Sequence, residues 1–177
     1  MKFITSISVP VSWRRQYCGI FEAKHNGVIY YYTDAINPYL NSNSSNMFRG
    51  LSKVKNIELS TIDTSKLRTS PYIFLGTNDL ATIDLSNFDT SKMTDMSGMF
   101  EGSCFTFLDL SSFDTSQAQY MHFMFSGASN LKNIKFGNKF NTSKITNFRA
   151  MFQRCTSLES LDLSLFDMMK IIMLIQH

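Results

Sequence analysis

Residues 88–110 read FDTSKMTDMSGMFEGSCFTFLDL, and weaker or stronger copies of this stretch stand on both sides of it. The Phe-Asp pair at Phe88 and Asp89 recurs as Ile62 and Asp63, Phe113 and Asp114, Phe140 and Asn141, and Phe166 and Asp167, at steps of 26, 25, 27 and 26 residues. A Met-Phe pair at Met99 and Phe100 recurs as Met47 and Phe48, Ile73 and Phe74, Met124 and Phe125, and Met151 and Phe152, at steps of 26, 26, 25 and 27. An apolar triplet keeps the same step: Val54/Ile57/Leu59, Leu80/Ile83/Leu85, Phe105/Leu108/Leu110, Leu131/Ile134/Phe136 and Leu158/Leu161/Leu163. Three ladders with one period in the range of 20–50 residues mean a stacked array of units.

Inside one unit the apolar spacing changes. Ile83 and Leu85 alternate with Thr82, Asp84 and Ser86, as in a short strand with one buried face. Met93, Met96, Met99 and Phe100 then follow at steps of three and four, which predicts one or two helical turns, and residues 118–125 and 145–152 repeat the pattern. Between strand and helix stands Asp-Thr-Ser, at 63–65, 89–91 and 114–116, with Asn-Thr-Ser at 141–143. Short side-chain oxygens there accept bonds from the free amides of a helix start. Because Asn141 replaces the aspartate once, the slot needs an oxygen and not a charge, which favours a structural cap over a metal ligand. Asp63, Asp89, Asp114 and Asn141, with Phe74, Phe100, Phe125 and Phe152, are thus the structural repeat positions. The expected fold is an α/β repeat solenoid, a right-handed stack of strand, turn and short helix, since a lone unit cannot bury its apolar side.

The segments IDLSNFDTSKMTDMSGMFEGS (83–103) and LDLSSFDTSQAQYMHFMFSGASNL (108–131) closely resemble the repeat of BspA-like leucine-rich-repeat surface proteins, LDLSxFDTSxVTxMxxMFxGCxxL. The resemblance covers about residues 47–167. It implies a leucine-rich-repeat-like solenoid, usually exported and displayed on a microbial surface, associated with adhesion and protein binding. Members also occur in virus and phage gene sets, and the resemblance carries no catalytic motif. Cys155 keeps the cysteine usual after the Met-Phe pair, where Thr77 and Ala128 stand in other units.

A chain of 177 residues with 44% hydrophobic content supports one core, and the unbroken register argues for a single domain over 1–177. Eleven Met and sixteen Phe against one Trp follow from the repeat, whose core slots they fill. A net charge of +3, with basic residues concentrated only at Arg14-Arg15 and at Lys132, Lys135, Lys139 and Lys144, lacks the basic stripe that nucleic-acid binding requires. Cys18, Cys104 and Cys155 cannot form a complete set of pairs and are expected as free thiols. The opening MKFITSISVPVSW is broken by Thr5, Ser6, Ser8, Pro10 and Ser12 and makes a poor export signal, so compartment stays open between surface, virion and cytoplasm. The longest apolar run, Met168 to Ile175, is interrupted by Lys170 and is too short to span a membrane.

Residues 20–33, IFEAKHNGVIYYYT, pair two apolar runs through Asn26-Gly27, a two-residue hairpin signal, and residues 1–35 are expected as a cap on the open end of the array. Five units fill 36–165, the first degenerate, and 166–177 form a partial repeat in which Ile171 and Leu174 take the places of Met93 and Met96. Its helix is expected to close the stack, while an apolar end face remains a candidate assembly site.

Two groups of residues are candidates for binding. Glu58, Asp84, Asp109, Lys135 and Asp162 form an outward column, one per unit, which calcium or a basic partner would relieve. Phe107, Tyr120, His122 and Phe123 put apolar surface on nominally outer positions, as a partner contact would. Tyr30, Tyr31 and Tyr32 fit a half-exposed cap strand or a sugar platform. His25, His122 and His177 do not converge with the cysteines at zinc-like spacing, and neither a hydrolytic triad nor a phosphate loop is suggested; no cofactor is expected. The expectation is a non-enzymatic protein-interaction or adhesion module with a protein partner. The alternatives are a structural subunit of a virion or surface assembly that self-associates through its ends, and a calcium- or carbohydrate-binding protein.

Overall fold

The structure, a computed structural model, describes residues 4–5, 21–25, 28–32, 39–57, 59–167 and 169, with side chains described from residue 39 onward. Strands β1 (Ile4–Thr5), β2 (Phe21–His25) and β3 (Val28–Tyr32) form an antiparallel sheet in the order β1-β3-β2. His25 lies opposite Val28, so only two residues separate β2 from β3 in the chain. The pairing Ile4 with Tyr31 and Thr5 with Tyr30 adds β1 to the other edge of β3.

From residue 39 the backbone returns to the same place once per unit. Parallel bridges join Asn43 to Thr69, Thr69 to Asp95, Asp95 to Tyr120 and Tyr120 to Asn147, so one ladder crosses five units. Beside it, alternate amides of each unit donate to the next. Phe48 N donates to Ile73 O at 2.8 Å, Phe74 N to Met99 O at 3.0 Å, Phe100 N to Met124 O at 2.9 Å and Phe125 N to Met151 O at 2.9 Å. The flanking positions do the same; Gly76 N reaches Glu101 O at 2.9 Å and Gly102 N reaches Ser126 O at 2.8 Å.

This use of the amides explains where the structure departs from the helical expectation. Among the described residues between 39 and 167 no helix is present, and 93–100, 118–125 and 145–152 are turns. Carbonyls are used locally at short range, as in Met99 N to Met96 O at 3.3 Å, while the intervening amides leave the segment for the neighbouring unit. An α-helix would need those amides for its own i−4 carbonyls. Two left-handed residues per unit enforce the choice. The first slot holds Asn46, Tyr72, Gly98, Phe123 and Ala150, with φ between 54° and 60°. The second holds Gly50, Gly76, Gly102, Gly127 and Arg154, with φ between 60° and 71°. A residue with a side chain pays for φ > 0, so glycine dominates the second slot, and a helix cannot run through either.

The expected strands are realised as a ladder in one pair of units. β4 (Phe107–Leu110) and β5 (Asn133–Phe136) pair in parallel, Phe107 opposite Asn133 and Leu110 opposite Phe136. Residues 82–86, expected as a strand, carry no ladder among the described residues, although Leu85 is buried and Asp84 exposed as alternation requires. Close approach beyond β5 depends on Gly137, where a Cβ would meet Ser111 O at 2.1 Å.

The core is one apolar cluster running along the units, and Met93, Met96, Met99 and Phe100 are fully buried in it. Its axis is a column of rings. Phe48, Phe74, Phe100, Phe125 and Phe152 stack at centroid spacings of 5.3, 5.7, 5.7 and 5.3 Å, tilted from one another by 10° or less. Offset stacking adds about 0.5–1.5 kcal/mol per pair beyond burial, so the column couples each unit to the next. Phe152 ends it and is only partly buried, together with Cys155, Leu158, Leu161 and Leu163.

Candidate interaction face

Asp63, Asp89 and Asp114 make turns, and do not cap helices. Asp63 Oδ1 accepts from Ser65 N, Asp89 from Ser91 and Asp114 from Ser116, at 2.9, 2.9 and 3.0 Å. Asn141 does the same for Ser143 at 2.8 Å, which is why amide and carboxylate serve equally. The serine hydroxyl and amide hold the carboxyls of Asp63 and Asp89 below their ordinary range.

Sequence reasoning missed the residue between them. Thr64, Thr90, Thr115 and Thr142 are buried and clip one unit to the next. Thr115 Oγ1 donates to Asn141 O at 2.7 Å and accepts from Asn141 N at 2.6 Å, while Thr142 Oγ1 accepts from Asp167 N at 2.8 Å. The signal was present, because the threonine recurs unchanged in four copies while the neighbouring aspartate does not. The left-handed slot was equally legible: Gly50, Gly76, Gly102 and Gly127 follow one another at steps of 26, 26 and 25.

Of the outward column, Glu58 lies outside the described residues. Asp84 and Asp109 are exposed and share the rim of a cleft of about 350 Å³ lined by Ile83, Leu85, Ser86, Ser111 and Ser112. Each is already engaged. Asp84 Oδ1 accepts from Ser86 N at 2.9 Å, and Asp109 Oδ1 accepts from Ser111 N at 2.9 Å. Asp109 also binds Lys135 Nζ at 3.0 Å across β4 and β5, an exposed pair that contributes about 0–1 kcal/mol. The serine bonds hold both carboxyls below the ordinary range, with Lys135 adding to the effect at Asp109. No group of three or more side chains suited to a metal occurs among the described residues.

The aromatic candidates divide into two. Phe107 stands exposed on β4, beside the column. Tyr120, His122 and Phe123 belong to the bridge ladder instead, with Tyr120 joined to Asp95 and Asn147. His122 Nδ1 is 2.9 Å from Ser97 Oγ, and its ring meets Phe123 edge-on at 5.5 Å. Arg149 covers the Phe123 ring at 5.9 Å. Phe107 and Tyr120 are 50% and 42% exposed, whereas His122 and Phe123 are half-buried in these contacts. Phe74, Phe100, Phe125 and Phe152 all stand in the ring column.

The two described cysteines, Cys104 and Cys155, are free and half-buried. Cys155 donates to Phe125 O at 3.0 Å, and burial pushes its thiol up to about 11. No helix among the described residues is long and apolar enough to cross a membrane.

These features define a protein of repeated turn units, clipped together by backbone amides, threonine hydroxyls and stacked rings. The chain belongs to the family described as Mycoplasma protein of unknown function, DUF285, which matches residues 42–160 and 132–174. Among curated proteins, glycogen synthases from Geobacillus thermodenitrificans (strain NG80-2) and Geobacillus stearothermophilus are 59% identical over 34 residues, 19% of this chain and 7% of theirs. The glycogen synthase of Anoxybacillus flavithermus (strain DSM 21510 / WK1) is 53% identical over 34 residues, with the same coverage. The chain thus spans about 7% of the length of these curated relatives, too little to carry an activity across. No solved structure matches it.

Proposed function

We propose that this chain is a non-enzymatic protein-interaction or adhesion module, a right-handed leucine-rich-repeat-like solenoid of the BspA-like kind. One observation carries the reading: the backbone returns in parallel register from Asn43 to Asn147, so outward residues recur at regular steps along an extended face. Such a face suits an extended macromolecular partner better than a small substrate, which needs an enclosing pocket. Tyr120 on this ladder and Phe107 on β4 are, with Leu165 and Met169, the large apolar residues exposed among the described residues, and they have area to give to a contact. The surface-display part of the reading rests on the repeat resemblance.

The labelled chain, titrated onto immobilised extracellular-matrix proteins and onto cells, should bind saturably. The double variant Phe107→Ser/Tyr120→Ser should weaken binding at least tenfold with an unchanged melting temperature. Absence of saturable binding on every surface sinks the adhesion reading.

A structural subunit is the second reading, favoured by the half-buried residues Phe152, Leu158, Leu161 and Leu163 at the C-terminal end of the core. Light scattering on the purified chain separates the two, since a defined oligomer moves assembly into first place and a monomer leaves the binding module.

A further inference from the structure

The described arginines, Arg49, Arg68, Arg149 and Arg154, all stand beside the bridge ladder or in the turns that follow it. Both ion pairs among the described residues, Lys132 with Glu159 and Lys135 with Asp109, belong to the strand segments instead. No carboxylate within ion-pairing distance therefore holds any of the four guanidinium groups. The lysines of this side are already engaged. Lys92 Nζ donates to Ser65 O at 3.2 Å, Lys144 Nζ donates to Gln117 Oε1 at 2.9 Å, and Lys66 Nζ sits 3.5 Å above the Tyr39 ring. Asp63 and Asp89 also stand close enough to Lys66 and Lys92 to offset their charge. The free positive charge of this side is thus arginine.

Two of these arginines flank Tyr120, the one exposed large aromatic side chain on this side among the described residues. Thr94 N donates to Arg68 O at 2.7 Å and Gln119 N to Thr94 O at 2.8 Å, so Arg68 lies two units before Tyr120 along the stack. Asn147 bridges Tyr120 from the following unit, and Arg149 is two residues beyond it. At about 4.8 Å per step the backbone at Arg68 and at Arg149 is separated by roughly 14 Å, with the ring between them. Arg149 is preorganised, because its guanidinium covers the half-buried Phe123 ring at 5.9 Å. Asp95, the acid nearest in the ladder, is half-buried and gives Oδ1 to Ser97 N at 2.9 Å.

An aromatic face takes the apolar side of a sugar ring, exposed amides such as Gln119 reach its hydroxyls, and guanidinium forks take sulfate or carboxylate groups. The step between units is also close to the length of one sugar ring in an extended chain. A nucleic acid strand fits less well, since successive bases need successive exposed rings and this side offers one. We propose that the edge carrying Arg68, Tyr120 and Arg149 binds a linear anionic polysaccharide, laid along the stack with one sugar on the Tyr120 ring and an acidic group at each arginine. This rests on the adhesion reading and names its ligand class.

Heparin immobilised on a sensor surface, with a desulfated and carboxyl-reduced heparin as the neutral comparison, tests the full chain. Heparin should bind saturably and the neutral polymer should not. Arg68→Gln and Arg149→Gln should each weaken binding roughly fivefold and reduce its salt dependence, whereas Tyr120→Ser should weaken it and leave the salt dependence unchanged. Melting temperatures should stay as they are. Lys132→Gln and Lys135→Gln remove the same charge from the strand segments and should leave binding within about twofold. Equal losses from the strand-side variants overturn the proposal, because charge alone would then account for binding. So does tighter binding of a single-stranded oligonucleotide than of heparin, or no binding of heparin at all. Where heparin fails and glycan-free matrix proteins still bind, the adhesion reading stands without this ligand; where both fail, it falls as well.

Discussion

Thr90 and Asp114, 24 residues apart, are joined twice: the Thr90 hydroxyl donates to the Asp114 carbonyl and accepts from the Asp114 amide, each at 2.9 Å. One buried side chain thus satisfies both backbone groups of a residue in the next unit. Thr90→Val keeps the shape and removes both bonds, leaving Asp114 N–H and C=O without partners. A loss of about 1–3 kcal/mol is expected, read as a lower urea midpoint at unchanged slope. Thr90→Ser should restore most of it, and equal losses for Val and Ser would mean that methyl packing, not the clip, holds the units.

The ring column predicts a gradient. Phe100 is fully buried between Phe74 and Phe125, so Phe100→Ala should cost about 3–5 kcal/mol. Phe152 has one ring neighbour in the column and is partly exposed, and Phe152→Ala should cost only about 1–2 kcal/mol. Similar midpoint shifts in the two variants would show that the column is not a cooperative element.

Left-handed slots can be tested in both directions. Gly102 sits at φ 60°, and Gly102→Ala should lose about 1–2 kcal/mol. Arg154 holds the same slot at the same φ with a side chain attached, so Arg154→Gly should raise the melting temperature. A lower melting temperature for Arg154→Gly would contradict the strain assigned to that slot.

Acid stability follows from the turn carboxylates. Serine hydrogen bonds lower Asp89 from its ordinary 3.8, so the folded protein binds this proton less readily than the unfolded chain. The stabilisation is present above that ordinary value and is lost as pH falls through the lowered one. Asp89→Asn keeps an accepting oxygen, as Asn141 does, and should flatten the acid unfolding curve while leaving neutral stability nearly intact. A large loss at pH 7 would mean that the charge itself matters.

Cys155 should resist alkylation. With its thiol raised from 9.0 to about 11, it holds roughly 100-fold less thiolate at neutral pH than an ordinary cysteine. Modification by iodoacetamide should therefore require denaturant, and rapid labelling of the folded chain would show that the segment around Cys155 opens locally.

Much of the site can be traced to single residues in the sequence. The ring positions Phe74, Phe100, Phe125 and Phe152 were legible because bulky apolar residues recurring at a fixed step have no other stable place than a shared interior. The aspartates were found but given a helix to cap, since an Asx turn and an N-cap use the same side-chain oxygen two or three residues before the same amides. Thr90 and its counterparts were passed over because a threonine between polar neighbours reads as exposed until its burial is seen. The aromatic group was split, with Phe107 on β4 and Tyr120 on the bridge ladder, because one-dimensional spacing does not say which side of a unit a turn residue faces.

The sequence by itself determined the step of about 26 residues and the identity of the core, because both depend on side-chain chemistry that every copy restates. The backbone conformation between core residues was decided only by tertiary structure. Apolar residues at steps of three and four suit a helix and a row of tight turns alike. The choice rests on whether the amide of a residue such as Phe100 finds its partner four residues back or in the next unit. Met124 O, 2.9 Å away, is that partner, and it exists only once the units are stacked.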